Sequence, residues 1–151
     1  MTFEISSALA EDAVSLMRRF DMAAVNDELG PWLRMTVPPA WAARPISDWP
    51  TGPMLFSSWI LLLGLLPVDR HRFGLESVDA AGGFREASSS WALSSWRHER
   101  VIEATDTGMS LTDRITWRTR IPAMAVLLGP VYRSVFRHRH RRLRQRFGPA
   151  P

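Results

Sequence analysis

The sequence contains no cysteine and no lysine. Without cysteine there is neither a disulfide framework nor a thiolate metal site, and nothing in the chain demands an oxidising compartment. Without lysine, all 19 cationic side chains are arginine. Seven of these fall between Arg133 and Arg146, so the formal excess of +4 gathers at the C-terminal end.

Long apolar runs are missing too. Met54 to Val68 is interrupted by Ser57, Ser58, Gly64 and Pro67, and Ala123 to Val131 by Gly129-Pro130. Both fall short of the roughly 18–20 residues that a membrane-spanning helix needs, and both read as buried core. Met1 to Ser6 carries Glu4 and no basic stretch, so no signal peptide is expected and the expected location is cytoplasmic. There is no Gly-rich phosphate loop, nucleophile elbow, zinc motif or internal repeat. His138 and His140 stand two apart on a helix and point in different directions. His71 and His98 fall on different strands, with no carboxylate partner at metal-ligand spacing. The expectation is no metal and no cofactor.

What is present has the composition of a globular protein, with 46% hydrophobic and 23% charged residues in 151. That length suits one domain, expected over residues 1–147 with a short tail at 148–151.

Thr2 to Ser6 alternates, with Phe3 and Ile5 on one side, and reads as a strand. In Glu11 to Phe20, residues Ala13, Leu16, Met17 and Phe20 form one apolar helical stripe. Asp21 is placed to cap a second short helix carrying Met22, Val25 and Leu29, which Gly30-Pro31 ends. Five prolines between Leu33 and Pro53 disfavour regular structure there, and Trp41 and Trp49 are expected to pin that segment to the body.

Strands follow. Phe56 to Leu63 is apolar on both faces, and Leu65 to Asp69 is expected to bend the chain. Arg70 to Val78 then sets Phe73, Leu75 and Ser77 opposite Arg72, Gly74 and Glu76. Asp79 to Gly83 turns, and Phe84 to Ser89, Leu93 to Glu103 and Met109 to Thr119 complete a meander. Pro122 opens a helical region whose final long segment is expected to start or kink at Gly129-Pro130. There Val131, Tyr132, Val135, Phe136, Arg139, Leu143 and Phe147 make one stripe. The order is strand, two short helices, antiparallel strands, long amphipathic helix. That is an α+β arrangement in which sheet and terminal helix must bury their apolar faces together.

The hairpin at Thr105-Asp106-Thr107-Gly108 allows a register to be set. Centred on Asp106-Thr107, it places Trp96 beside Trp117, His98 beside Ile115, Arg100 beside Asp113 and Ile102 beside Leu111; a slip of one residue inverts every side chain. The opposite face, with Arg97, Glu99, Thr112, Arg114 and Thr116, is the wetter one. The inner face therefore holds His98, Arg100 and Asp113, and charged groups there are costly unless paired. Arg100 and Asp113 are cross-strand neighbours. Arg139 lies in the stripe of the last helix, and Glu86 shares a side with Phe84 and Ser88. Two readings stay open: an ion-pair network that fixes the packing of sheet and helix, or a mostly apolar cavity with a few convergent polar groups.

Gly83-Phe84-Arg85-Glu86, Trp96-Arg97-His98-Glu99-Arg100, Gly108 with Leu111-Thr112-Asp113-Arg114, and Phe136-Arg137-His138-Arg139 with Leu143 together resemble the SRPBCC (START/Bet v 1-like) superfamily. The narrower resemblance is to bacterial members grouped with polyketide cyclases and coenzyme Q-binding proteins, over roughly residues 54 to 147. The resemblance implies a helix-grip fold: a curved antiparallel sheet wrapped around a long C-terminal helix, with two short helices after the first strand. It implies binding or transport of a lipid, polyketide or quinone-like molecule in an internal cavity. The residues expected at the ligand are Phe84 and Glu86, then Trp96, His98 and Arg100, then Asp113, Ile115 and Trp117, and Tyr132, Phe136 and Arg139 on the helix. An aromatase or cyclase-like enzyme with His98 as general acid or base is the alternative. A second alternative is peripheral attachment to an anionic membrane through Arg133 to Arg146. No nucleic-acid-binding signature is found, and nothing sets the oligomeric state.

Overall fold

The Thr105–Gly108 turn generates the register expected of it. In a computed structural model describing residues 1–151, Trp96 faces Trp117, His98 faces Ile115, Arg100 faces Asp113 and Ile102 faces Leu111. The two strands involved, β6 (Leu93–Thr105) and β7 (Gly108–Thr119), belong to one seven-stranded antiparallel sheet. The others are β1 (Thr2–Leu9), β2 (Leu33–Met35), β3 (Gly52–Leu62), β4 (Leu66–Asp79) and β5 (Gly83–Ser90). Their order is β1-β7-β6-β5-β4-β3-β2, a meander closed on one edge by the first strand.

The helices are α1 (Ala13–Arg19), α2 (Met22–Leu29), one-turn α3 (Pro39–Ala42) and α4 (Met124–Phe147), with a 3-10 turn at Ile46–Asp48. Asp12 caps α1 by accepting from the Val14 and Ser15 backbone N–H groups. Asp21 caps α2 through Ala24, a contribution of about 1 kcal/mol for each cap. Ala13, Leu16, Met17 and Phe20 are all buried, as their spacing requires. The sheet curls round α4 in a helix-grip fold.

The proline-rich stretch is irregular and anchored by aromatic contacts. Trp41, Trp49 and Phe56 meet pairwise at ring-centroid distances of 5.2–5.4 Å. Pro39 does not exclude helix there; it opens α3 at a position where its missing N–H costs nothing.

Four local expectations are corrected. The chain reverses at Leu63-Gly64-Leu65, not at Leu65 to Asp69: Leu63 and Gly64 both take positive φ, and Pro67 lies inside β4 at a register shift, where a missing N–H is tolerated. A second shift between Leu75 and Ser77 flips the alternation, so Ser77 is exposed and Val78 packs on the core. The last helix starts at Met124 and runs continuously through Pro130 to Phe147. Val131, expected in the buried stripe, is half exposed. The tail also continues the fold: the Gly148 carbonyl accepts from Ala10 N–H, and Ala150 N–H donates to the Ala8 carbonyl.

A buried ionic network beside an apolar cavity

Strand alternation sends Arg100 inward from β6 and Asp113 inward from β7, and both are fully buried. Arg100 Nε and Nη2 donate to Asp113 Oδ1 and Oδ2 at 2.7 and 2.8 Å. Its Nη1 and Nη2 also donate to Glu28 Oε1 and Oε2 at 3.0 and 3.1 Å. The Phe20 ring lies 4.8 Å from the guanidinium carbon. Glu28 is shared, because Arg139 Nε donates to its Oε2 at 2.9 Å. One guanidinium thus ties α2 to the sheet and a second ties it to α4.

Asp113 has two further partners, His98 Nε2 at 2.9 Å and His140 Nε2 at 3.1 Å. His140 Nδ1 meets Ser7 Oγ at 2.8 Å, and Ser7 accepts from Arg144 Nη1 at 2.8 Å. On the other flank, Glu86 Oε1 accepts from His71 Nε2 and Ser88 Oγ, each at 2.6 Å, while its Oε2 lies 3.6 Å from His98 Nδ1. His98 therefore has one nitrogen on Asp113 and the other facing Glu86.

Burial alone would raise the pKa of every carboxyl in this network. For Asp113, the charges of Arg100 and His98 outweigh burial and hold it well below 3.8. For Glu28, Arg100 and Arg139 do the same, and for Glu86 the His71 ring and then His98 hold it below the usual carboxylate range. Burial would lower Arg100, but Asp113 and Glu28 raise it above an ordinary arginine. The buried charges are mutually neutralised, an arrangement that fixes packing more than it adds stability.

Beside this network, between the sheet, α2 and α4, lies a cavity of about 400 Å³. Of its 29 lining residues 23 are hydrophobic, so it suits an apolar occupant. The structure brings Phe84, Glu86, Trp96, His98, Tyr132, Phe136 and Arg139 to its wall. It does not bring Arg100, Asp113, Ile115 or Trp117 there, contrary to the sequence expectation. They share the inner face, but the Trp117 and Tyr132 rings pack 5.5 Å apart, and Glu28 and Phe20 occupy the space over Arg100.

Sequence reasoning missed His71, Glu28, His140 and Asp69. His71 shares parity with Phe73 and Leu75, Glu28 follows Val25 by three, and His140 follows Phe136 by four, so the periodic signal for inward placement existed. In space, His71 and His98 pair with the carboxylates of Glu86 and Asp113, partners that metal-ligand spacing along the sequence does not single out. Asp69, on the cavity wall, accepts from the backbone N–H groups of Trp91 and Ala92. It faces Tyr132, whose phenol is pushed upward by burial and then by the Asp69 charge.

The arginines between 133 and 146 are largely committed. Arg142 and Arg146 both hold Asp27, Arg139 holds Glu28 and Arg144 holds Ser7. No helix of the structure is long and apolar enough to cross a membrane.

A family model described as a domain of unknown function (DUF8410) matches residues 7–147. No curated protein matches the chain. Solved structures do. A Chromobacterium violaceum protein superposes with TM-score 0.71 at 12% identity, covering 98% of each chain. A Rhodobacter sphaeroides protein gives 0.68 at 11%, covering 94% of this chain and 89% of the other. A START superfamily protein from Mycobacterium smegmatis gives 0.59 at 10%, covering 97% and 95%. The likeness is one of fold, the helix grip.

Proposed function

We propose that this chain, which belongs to the DUF8410 family of unknown function, binds an uncharged hydrophobic small molecule in the hollow between sheet and α4. The observation that carries this reading is the cavity of about 400 Å³ with its predominantly hydrophobic wall. Such a volume lies within the range of small-molecule sites. The absence of charge on the ligand follows from the wall: its only guanidinium, Arg139, is held by Glu28, so no free cation is offered to a carboxylate or phosphate. Lipid, polyketide and quinone-like molecules without an ionised head fit this chemistry. Tyr132 is the polar handle: it lies on the cavity wall, and a phenol is protonated at neutral pH even before burial raises its pKa.

The catalytic alternative, a polyketide cyclase-like enzyme with His98 as general acid or base, has weaker support. A proton-transfer group must reach its substrate, and both His98 nitrogens are turned toward carboxylates.

Native mass spectrometry of freshly purified protein, followed by solvent extraction, tests the binding reading. One retained apolar molecule per chain is expected, as is uptake of Nile red that a Val135→Trp substitution in the wall suppresses. Protein that carries nothing and gives no Nile red signal would overturn it.

A further inference from the structure

The uncharged stretches that read as core in the sequence are partly outside. Leu63, Leu65 and Leu66 at the β3–β4 hairpin are exposed, Leu65 by 85%. Across the cavity, Val126 and Leu127 in the first turns of α4 are 75% and 71% exposed. Both elements also line the cavity, the hairpin through Leu62 and Val68 and the helix through Met124, Leu128 and Val131. Each rim therefore shows apolar side chains to the interior and to solvent at once.

The rims are parts of one surface. The Leu63 N–H donates to the Trp32 carbonyl, which puts an exposed indole beside the hairpin. Asp69 at the base of the hairpin binds the backbone of Trp91, a second exposed indole, and Arg120 N–H donates to the neighbouring Ala92 carbonyl just before α4. Contiguous exposed apolar surface of this kind marks an interaction site.

Charge identifies the partner. Neither Met54 to Val68 nor Ile121 to Tyr132 contains a charged residue; Arg120 and Arg133 flank the second stretch, Asp69 and then Arg70 follow the first, and none of these three arginines has a carboxylate partner. Arg70 stacks on Trp59, Arg120 donates to the Ser90 carbonyl, and Arg133 is exposed. Asp69 is the one acid here, and it is occupied by backbone N–H groups. Leucine and tryptophan at the tip with arginine behind is the chemistry of insertion into an anionic lipid interface. We propose that the cavity mouth, formed by the β3–β4 hairpin and the N-terminal turns of α4, is a docking surface for an anionic membrane. The arginine-rich C-terminal half of α4 is not that surface, because its side chains are largely spent on Asp27, Glu28 and Ser7.

The test is co-sedimentation of the full chain with phosphatidylcholine vesicles, with and without phosphatidylglycerol, alongside Nile red uptake and light scattering. Leu65→Asp with Leu127→Asp changes the rim without touching the cavity wall. The native chain is expected to bind vesicles containing phosphatidylglycerol and to release them as salt rises. The double variant should bind about tenfold more weakly or worse, while Nile red uptake is unchanged. Arg141→Glu on the far half of α4 should bind like the native chain. The proposal is overturned if the native chain ignores anionic vesicles, if the double variant binds them equally well, or if scattering shows a dimer that the same two substitutions dissociate. Loss of Nile red uptake in the native chain would instead count against the cavity reading.

Discussion

The Arg100 guanidinium and the Asp113 carboxylate meet as a two-point pair across β6 and β7, at 2.7 and 2.8 Å, with neither side chain exposed. Removing one partner leaves the other buried with only its remaining contacts, Glu28 for Arg100 and the His98 and His140 rings for Asp113. Asp113→Ala is expected to cost roughly 3–5 kcal/mol in urea unfolding. The pair Arg100→Met with Asp113→Leu should cost much less than the two single losses added together. Additive losses would show that the pair is not coupled.

The same network sets the acid response. The unfolded chain takes up protons near the ordinary values of 4.5 for Glu86 and 3.8 for Asp113, whereas both are held lower in the folded state. Their stabilising contribution is therefore complete above these ordinary values. It shrinks as pH falls below 4.5 toward the depressed folded values. Urea midpoints measured across this window should fall with acidification, and Asp113→Asn should flatten the trend. A native chain as stable below the window as above it would contradict the network.

His98 has a structural assignment that mutagenesis can separate from a catalytic one. His98→Ala withdraws a partner from both Asp113 and Glu86 and is expected to cost about 1–3 kcal/mol while sparing Nile red uptake. A general acid or base would show the reverse: loss of turnover at unchanged stability.

Tyr132→Phe preserves the wall and removes its phenolic hydroxyl. If the ligand hydrogen-bonds there, its affinity should drop by about threefold to tenfold, with no change for Nile red. Equal affinity for the co-purified molecule would assign Tyr132 a packing role.

Gly74 marks a close backbone approach under the cavity wall. A Cβ there would lie 2.6 Å from the Pro53 carbonyl oxygen and would also clash with the Ala87 carbonyl. Neither obstacle is a flexible side chain. Gly74→Ala should destabilise by about 1–3 kcal/mol, read as a lowered Tm.

What could be read of the site followed from parity. Trp96, His98 and Arg100 share one face of β6, as do Phe84, Glu86 and Ser88 on β5, because a pleated strand alternates its side chains. The same rule failed at Ser77, where a bulge inserts a residue and inverts the faces. A different rule, helix propensity, misplaced the start of the long segment at Gly129-Pro130, because α4 absorbs a proline that local propensity would place at a helix start.

The sequence by itself determined the order of the main elements, the Asp21 cap of the second short helix and the pairing of Arg100 with Asp113, since each depends on contacts within a turn, a stripe or one hairpin. Tertiary structure alone decided that Glu28, 72 residues from Arg100, completes that pair. It also decided that Trp117 backs the cavity wall instead of forming it, and that Leu65 and Leu127 face outward. These outcomes turn on the line along which α4 crosses the curved sheet, and that line is a property of the packed whole which no local periodicity encodes.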